Sequence, residues 1–154
     1  MHSAFLRLEQ VLPLRSEVLR NGGNYEQCRF PTDALPGTFH AGMVDAQGLV
    51  YSIVSCHAQS RPPLQGLVYQ LRGMATAPAY QGKGLGKILV EFVMQHIKQL
   101  GGDGIWCNAR KNAYTFYQSL GFEFMSSEFD IPGIGPHREM FLTWDKTSTE
   151  VNLT

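Results

Sequence analysis

The sequence has no excess of charge of either sign. Thirteen Lys and Arg residues balance thirteen Asp and Glu residues, which gives a formal net charge of +0 at pH 7. A global basic field that would attract nucleic acid or an anionic membrane surface is therefore not expected. Any anion that the protein binds has to be held by local geometry.

Long hydrophobic runs and abundant cysteines are also missing. No apolar run approaches the ~20 residues of a membrane helix, and Arg7 and Pro13 interrupt the early apolar residues, so no secretory signal is predicted. The three cysteines cannot all pair internally, and Cys56 and Cys107 lie in strand-like segments. We predict buried, reduced thiols, Cys28 included, in a cytoplasmic protein.

The composition that is present is typical of a globular domain. The chain has 154 residues, of which 44% are hydrophobic and 17% are charged. A chain of this length buries about two-thirds of its unfolded surface. We predict one domain over residues 1–145 and a flexible tail over residues 146–154.

Hydrophobic patterning predicts several strands, then a strand–helix–strand–helix unit, then a final hairpin. This order indicates an α/β or α+β fold around one mixed sheet, with a parallel crossover in its middle. The first helix should hold Pro13 in its first turn, and Asn112 should cap the last helix. The predicted strands are 5–8, 39–44, 49–56, 68–76, 105–109, 123–129 and 139–143, and the predicted helices are 12–20, 84–100 and 113–120.

A glycine-rich turn precedes the strongest predicted helix. Its sequence is Gln81-Gly82-Lys83-Gly84-Leu85-Gly86, and we call it the glycine turn. Glycine lets several N–H groups approach one anion, and a helix N-terminus adds unpaired donors and a favourable dipole. The pattern favours a pyrophosphate site over a glycine-rich turn without a ligand.

Two common nucleotide motifs do not fit the glycine turn. A dinucleotide fingerprint would need glycine where Lys87 stands. A P-loop would need glycine in place of Gln81 and Ser or Thr in place of Ile88. The glycine turn is therefore neither of these two nucleotide motifs.

The glycine turn resembles the signature of the GNAT superfamily of acyl-CoA-dependent N-acyltransferases. That signature, Gln/Arg-x-x-Gly-x-Gly/Ala after a central strand, is met by Gln81, Gly84 and Gly86. Residues 112–122 are similar to a second pattern, Asn-x-x-Ala-x-x-Phe-Tyr-x-x-x-Gly-Phe, although Ala113 directly follows Asn112. Both motifs occur in the family's order and spacing.

The resemblance implies a single-domain fold with a splayed mixed β-sheet flanked by helices, and acetyl-CoA as co-substrate. Its pantetheine arm would lie between the strands that end near Thr76 and Ala109. Its acetyl group would pass to a primary amine on a small molecule or a protein. The implied cofactor-binding residues are Met74, Ala75, Thr76, Gln81, Gly82, Lys83, Gly84, Leu85, Gly86, Asn108, Asn112 and Tyr117; Asn108 either bonds the pantetheine amide or caps its strand.

The resemblance also implies catalytic roles. A backbone N–H near Met74 or Ala75 would stabilise the oxyanion, and Tyr117 would protonate the departing thiolate, unless it only packs or bonds the cofactor. The general base is not implied by the resemblance. Its candidates are Glu128, Asp130 and His137, which flank the loop 131–136, and a water relay.

Two departures limit what the resemblance implies for catalysis. The central strand 70–76 carries no Asp or Glu, so the base is not the strand carboxylate of many relatives. Cys107 has no local His partner, which favours direct attack by the amine over an acyl-cysteine intermediate.

Two other classes of function compete with this interpretation. One is a non-catalytic acyl-CoA sensor, and the other is an unrelated phosphate-binding interaction domain. We expect no nucleic-acid or membrane partner and no metal, because no cluster of metal-ligating residues has suitable spacing. An exposed last strand would allow two copies to pair as a homodimer.

Overall fold

A computed structural model describes residues 1–144 of the chain. These residues have the predicted mixed α/β fold, with helices flanking an eight-stranded sheet. The chain divides into two compact units, the first made of residues 1–58 and 71–96 and the second of residues 59–70 and 97 onward. The predicted domain end at residue 145 and the predicted tail 146–154 lie outside the described residues.

The elements follow the predicted order, with short 3-10 turns at Tyr25–Cys28, Pro31–Ala34, Pro78–Tyr80 and Lys111–Ala113. The helices are α1 (Leu8–Leu14), α2 (Leu85–Gln99) and α3 (Tyr114–Ser119). The strands are β1 (His2–Leu6), β2 (Phe39–Val44), β3 (Val50–Ala58), β4 (Val68–Thr76), β5 (Gly104–Arg110), β6 (Glu123–Phe124), β7 (Phe129–Ile131) and β8 (Gly135–Thr143).

The first unit is built on β1, β2, β3 and most of β4, which are neighbours in that order. The predicted β2–β3 hairpin is confirmed, because the two strands pair antiparallel from Phe39 opposite Cys56 onward. Its turn is closed by the Asp45 carboxylate, which accepts hydrogen bonds from the amides of Gln47 and Leu49. Apolar residues of α1, β3 and β4 form a shared core: Val11, Leu14, Ile53 and Ala75.

The first helix differs from its prediction. It begins at Leu8, so Pro13 lies inside α1 and not in its first turn. Proline has no N–H and disturbs the helix around it, and α1 passes directly into a π-helical turn at Arg15–Leu19. Asn21, with φ 52°, and Gly22, with φ 78°, then end the helical path as predicted.

The second unit contains the parallel β4–β5 pairing that the crossover predicts, from Val68 opposite Gly104 to Gln70 opposite Trp106. β5 pairs antiparallel with β8, and the other edge of β8 pairs with β6 and β7. Two expectations are therefore wrong. The predicted strand 123–129 is two short strands, and the last strand is not an exposed edge because it has neighbours on both sides.

The capping role expected for Asn112 is also wrong. Asn112 is exposed within the 3-10 turn Lys111–Ala113, and Ala113 precedes the first residue of α3 without a side-chain capping bond. The Tyr114 amide instead donates to the Lys111 carbonyl, so this N–H group has a backbone partner and needs no side-chain cap. Gly121, with φ 96°, follows α3 as predicted.

Candidate active site

The glycine turn leads directly into α2. Gly82 and Gly84 have φ values of 75° and 82°, which glycine adopts without the steric cost that other residues incur. A Cβ built on either residue would meet no heavy atom within 4 Å. The turn is therefore open to a ligand and is not covered by packed side chains.

The start of α2 supplies hydrogen-bond donors. The Ile88 amide donates to the Gly84 carbonyl at 3.3 Å, and N–H groups ahead of such a first bond have no partner inside the helix. Lys83 is exposed, and its ammonium lies 5.5 Å from the centre of the Tyr80 ring. Amide donors, the helix dipole and a lysine charge together favour an anion at this turn.

The glycine turn is tied to the end of β4. The Gln81 side-chain amide donates to the Thr76 carbonyl at 3.1 Å. Ser52 Oγ donates to the Ala75 carbonyl at 3.2 Å and also lies 2.9 Å from Thr76 Oγ1. These bonds hold the last residues of β4, which follow half-buried Met74, and the glycine turn in one arrangement.

A buried polar cluster (Arg15, Asp33, His40, Ser55) lies in the first unit. Arg15 is 1% exposed, and its guanidinium donates to both carboxylate oxygens of Asp33, at 2.7 and 2.9 Å. It also donates to Ser55 Oγ at 2.8 Å and to the Cys28 carbonyl at 3.0 Å. This bidentate geometry is the strong form of an arginine–carboxylate pair.

Burial and the neighbouring Arg15 shift the pKa values of Asp33 and His40 in the buried polar cluster. Burial raises the pKa of Asp33, but hydrogen bonds from Arg15 and from the Phe30 amide, with the charge of Arg15, bring that pKa below its usual value. Burial lowers the pKa of His40, whose Nδ1 lies 2.6 Å from Ser55 Oγ. The cluster therefore holds an ion pair beside a neutral imidazole at neutral pH.

Sequence reasoning missed the buried polar cluster, although one signal was present. Arg15 lies at helical spacing from Val11 and Val18, on the apolar face of the first helix. A charged residue on such a face needs a buried partner. The partner, Asp33, lies in a polar segment whose sequence does not indicate that it contacts Arg15.

The second unit places Tyr117 against Cys107. Tyr117 is 5% exposed, its ring packs 5.1 Å from that of Phe122, and its hydroxyl donates a hydrogen bond to the Cys107 thiol. Burial raises the pKa of Cys107 to about 12, although the bond from Tyr117 lowers it. Cys107 is therefore a neutral thiol at physiological pH, and a thiolate is the form that acts as a nucleophile.

The two asparagines expected at the cofactor are both exposed. Asn108 lies on β5 between buried Cys107 and Ala109, opposite Glu139 of β8. Asn112 follows β5 in the 3-10 turn that leads to α3. Both side chains are therefore available to a ligand at the carboxyl end of β5.

The candidate bases have different surroundings. Glu128 accepts a hydrogen bond from the Tyr114 hydroxyl at 3.1 Å, and its carboxylate lies 3.9 Å from the Lys111 ammonium. Asp130 is exposed on β7, opposite Pro136 of β8.

His137 is the buried candidate. It is 3% exposed, it stacks on the Phe129 ring at 6.1 Å between centroids, and its Nδ1 lies 2.7 Å from the Gly135 carbonyl. A carbonyl can only accept, so Nδ1 carries the proton and Nε2 keeps its lone pair in the neutral ring.

The described part of the chain has neither a cluster of metal-ligating residues nor a helix that could span a membrane. No group of three or more His, Cys, Asp and Glu residues within 1–144 could hold a metal ion. No helix in this range is both long enough and apolar enough to cross a membrane.

Comparison with known proteins shows which family the chain belongs to. Residues 43–142 match the sequence model described as an acetyltransferase (GNAT) domain, which covers more than half of the chain. The chain belongs to the GNAT acetyltransferase family. This acetyltransferase is 36% identical over 139 residues to YitI, an uncharacterized N-acetyltransferase of Bacillus subtilis (strain 168), with 90% of this chain and 93% of that protein covered.

Solved structures agree with the fold of this acetyltransferase. A putative N-acetyltransferase from Lactobacillus plantarum superposes with a TM-score of 0.76 at 17% identity, over 93% of this chain and 99% of the other. An aminoglycoside 6'-N-acetyltransferase complexed with coenzyme A superposes with a TM-score of 0.67 at 15% identity, over 93% and 97% of the two chains. The match to the GNAT sequence model and to YitI makes the protein an enzyme of the acyltransferase class.

Proposed function

We propose that this acetyltransferase moves an acetyl group from acetyl-CoA to a primary amine by direct attack of the amine on the thioester. The observation that carries the proposal is the open glycine turn, where Gly82 and Gly84 adopt positive φ and leave space over their backbone. Family membership supports acetyl transfer in general. The aminoglycoside acetyltransferase of the same fold binds coenzyme A, which supports coenzyme A as the ligand here.

The chain's residues divide the binding of acetyl-CoA between them. Amides of residues 81–86 and the start of α2 hold the pyrophosphate, and backbone groups of Met74, Ala75 and Thr76 hold the pantetheine arm. Asn108 and Asn112 bond its polar groups. The backbone N–H of Met74 or Ala75 donates to the oxyanion that forms on the thioester carbonyl.

Tyr117 acts as the general acid in this proposal. When the amine nitrogen bonds to the carbonyl carbon and the carbon–sulfur bond breaks, the departing thiolate takes the phenolic proton. Tyrosine with a pKa near ~10 carries that proton at physiological pH. Its hydroxyl bonds the Cys107 sulfur in the free protein, so its single proton has to leave that partner to reach the thiolate of coenzyme A.

We assign the general base to His137, which takes the proton that the attacking amine loses. Its fixed Nδ1–H leaves Nε2 as the proton acceptor. The Glu128 carboxylate is instead engaged by Tyr114 and Lys111. The neutral, buried Cys107 thiol supports direct attack and not an acyl-cysteine intermediate.

The proposal is tested by thiol release from acetyl-CoA in the presence of a panel of primary amines. We expect release that depends on the amine and initial-rate patterns of a ternary complex. Tyr117→Phe should lower kcat by about 100-fold or more, since general acid catalysis contributes on that scale. Tyr114→Phe, which removes a hydroxyl from the same helix, should keep the wild-type kcat. Unchanged turnover in Tyr117→Phe would remove the acid role, and ping-pong kinetics would contradict direct attack.

A further inference from the structure

Two arginine side chains share one aromatic ring in the first unit. The guanidinium carbon of Arg15 lies 3.9 Å from the centre of the Phe30 ring, and that of Arg72 lies 4.7 Å from it. Arginine is attracted to an aromatic face, but two cations at one ring repel each other unless anions balance them. The two guanidinium groups beside Phe30 therefore call for anions that balance their charge.

Only one of these two cations is neutralised. Arg15 has the bidentate pair with Asp33 described above. Arg72 forms no ion pair with a carboxylate of residues 1–144, and its hydrogen bond goes to Thr32 Oγ1 at 3.4 Å. The neighbourhood of Phe30 thus carries one uncompensated positive charge, on Arg72.

Arg72 is held where its charge is costly. It is half-buried, and burial lowers its pKa, as do the charges of Arg15 and Arg20, while Asp33 opposes them. A ligand anion would relieve this cost, because a partly desolvated cation gains most from a charged partner.

The position of Arg72 links it to acetyl transfer. Arg72 directly precedes Gly73, whose φ of 62° marks a break in the regular β4 backbone, and Met74 and Ala75 follow. Two residues of fully extended chain span at most about 7 Å, so the Arg72 backbone lies within that distance of the Met74 backbone that we assign to the oxyanion. One small molecule can span that distance with an amine at one end and an anionic group at the other.

We propose that Arg72 binds a carboxylate of the acceptor, so that the substrate class is small molecules carrying both a primary amine and a carboxylate, as amino acids do. The proposal rests on the acetyl transfer proposed above and adds the specificity of the acceptor site. Arg72 stacks on Phe30, which fixes the plane of the guanidinium and presents its remaining N–H groups in the fork that matches a carboxylate. Thr32, whose Oγ1 accepts a hydrogen bond from Arg72, donates the third hydrogen bond to that carboxylate.

The test uses matched pairs of acceptors that differ only in the carboxylate, namely amino acids and the amines left by their decarboxylation. For wild-type protein, kcat/KM from thiol release should be higher for the carboxylate member of an accepted pair. Arg72→Met should lower that value by about 10- to 100-fold, the scale of a hydrogen bond to a charged group. Its kcat/KM for the matched amine and its KM for acetyl-CoA should stay unchanged, and Arg72→Lys should keep part of the preference.

The outcomes separate this inference from the proposed function. Equal kcat/KM for both members of every pair, or a preference that Arg72→Met leaves intact, overturns the carboxylate site while acetyl transfer stands. No thiol release with any amine counts against the proposed function. The carboxylate site is then tested by calorimetry with N-acetyl amino acids and the matching N-acetyl amines, where wild-type protein should bind the carboxylate form more tightly and equal binding overturns the site. Thermal unfolding of Arg72→Met and Arg72→Lys checks that both variants are folded. If Arg72→Met does not fold, the wild-type preference for the carboxylate member of each pair decides the proposal.

Discussion

Among single residues, Asp33 has the clearest energetic role, because it is the counter-ion of a fully buried arginine. Its side chain is 4% exposed and that of Arg15 is 1% exposed. Asp33→Asn keeps the shape but leaves the Arg15 charge unpaired, and breaking a buried pair in this way costs about 3–5 kcal/mol. We predict that loss in the free energy of unfolding measured by urea denaturation.

The exposed pair Arg29–Glu26 is the matched control for Asp33. Its side chains are 38% and 75% exposed, and such pairs contribute about 0–1 kcal/mol, so Glu26→Gln should unfold close to wild type. Because the pKa of Asp33 is lower in the folded chain than its unfolded value near ~3.9, its contribution is complete above that value and is lost as pH falls through the folded pKa. A similar loss in both variants would contradict the assigned role of the buried pair.

Sequence reasoning at this scale singles out residues that lie in a motif. Tyr117 was singled out from the pattern around it, and the structure buries it beside Cys107. Its acid role stays a prediction. Arg72 was not found, because the stacking of its guanidinium on Phe30 depends on a contact between a strand and a distant loop. Apolar patterning says nothing about such contacts.

At the scale of elements, β2 and β4 were predicted to the residue, whereas α1 and the strand after α3 were not. β2 is an apolar run that ends at the turn residues 45–48, and β4, which alternates imperfectly, ends before Pro78. α1 begins earlier than its apolar spacing indicates, and Pro13 inside it was unforeseen because propensity disfavours that position. Residues 123–129 separate into β6 and β7 through pairing with β8, a tertiary effect on strand ends.

The backbone of β4 at Gly73 provides a prediction at the same scale. A Cβ at Gly73 would lie 3.0 Å from Phe30 Cε2 and 3.3 Å from Arg15 Nε, on a residue with φ 62°. Gly73→Ala therefore adds a close contact to the ~1–2 kcal/mol cost of a left-handed conformation. We expect a loss of unfolding free energy above that cost, measured by urea denaturation.

Gly48→Ala isolates the backbone part of that loss. Gly48 has φ 84°, and a Cβ there meets no heavy atom within 4 Å. Gly48→Ala should therefore lose only the conformational cost. Equal losses in the two variants would show that Phe30 and Arg15 do not need the space over Gly73.

For the whole molecule, the fold class and the family were predictable from two short motifs in the right order, and both are confirmed. The acceptor was not, since neither motif specifies it and the acceptor site that we propose uses side chains of β4 and of the segment between Tyr25 and Ala34. The buried polar cluster and Arg72 illustrate this, because each draws on elements that are separate in sequence. The motifs identify the family, and the acceptor that we propose rests on tertiary contacts that no motif contains.

The central claim is that the glycine turn binds the diphosphate of coenzyme A, and calorimetric titration with coenzyme A tests it most directly. The account predicts binding to wild-type protein, much weaker binding of pantetheine, which lacks the diphosphate, and a loss of about tenfold or more in affinity for coenzyme A in Gly84→Ala. Gly133→Ala, at an exposed glycine with φ 80° and open space for a Cβ, should bind as wild type does. No binding of coenzyme A by the wild-type protein, or equal affinity in Gly84→Ala and wild type, would contradict the claim.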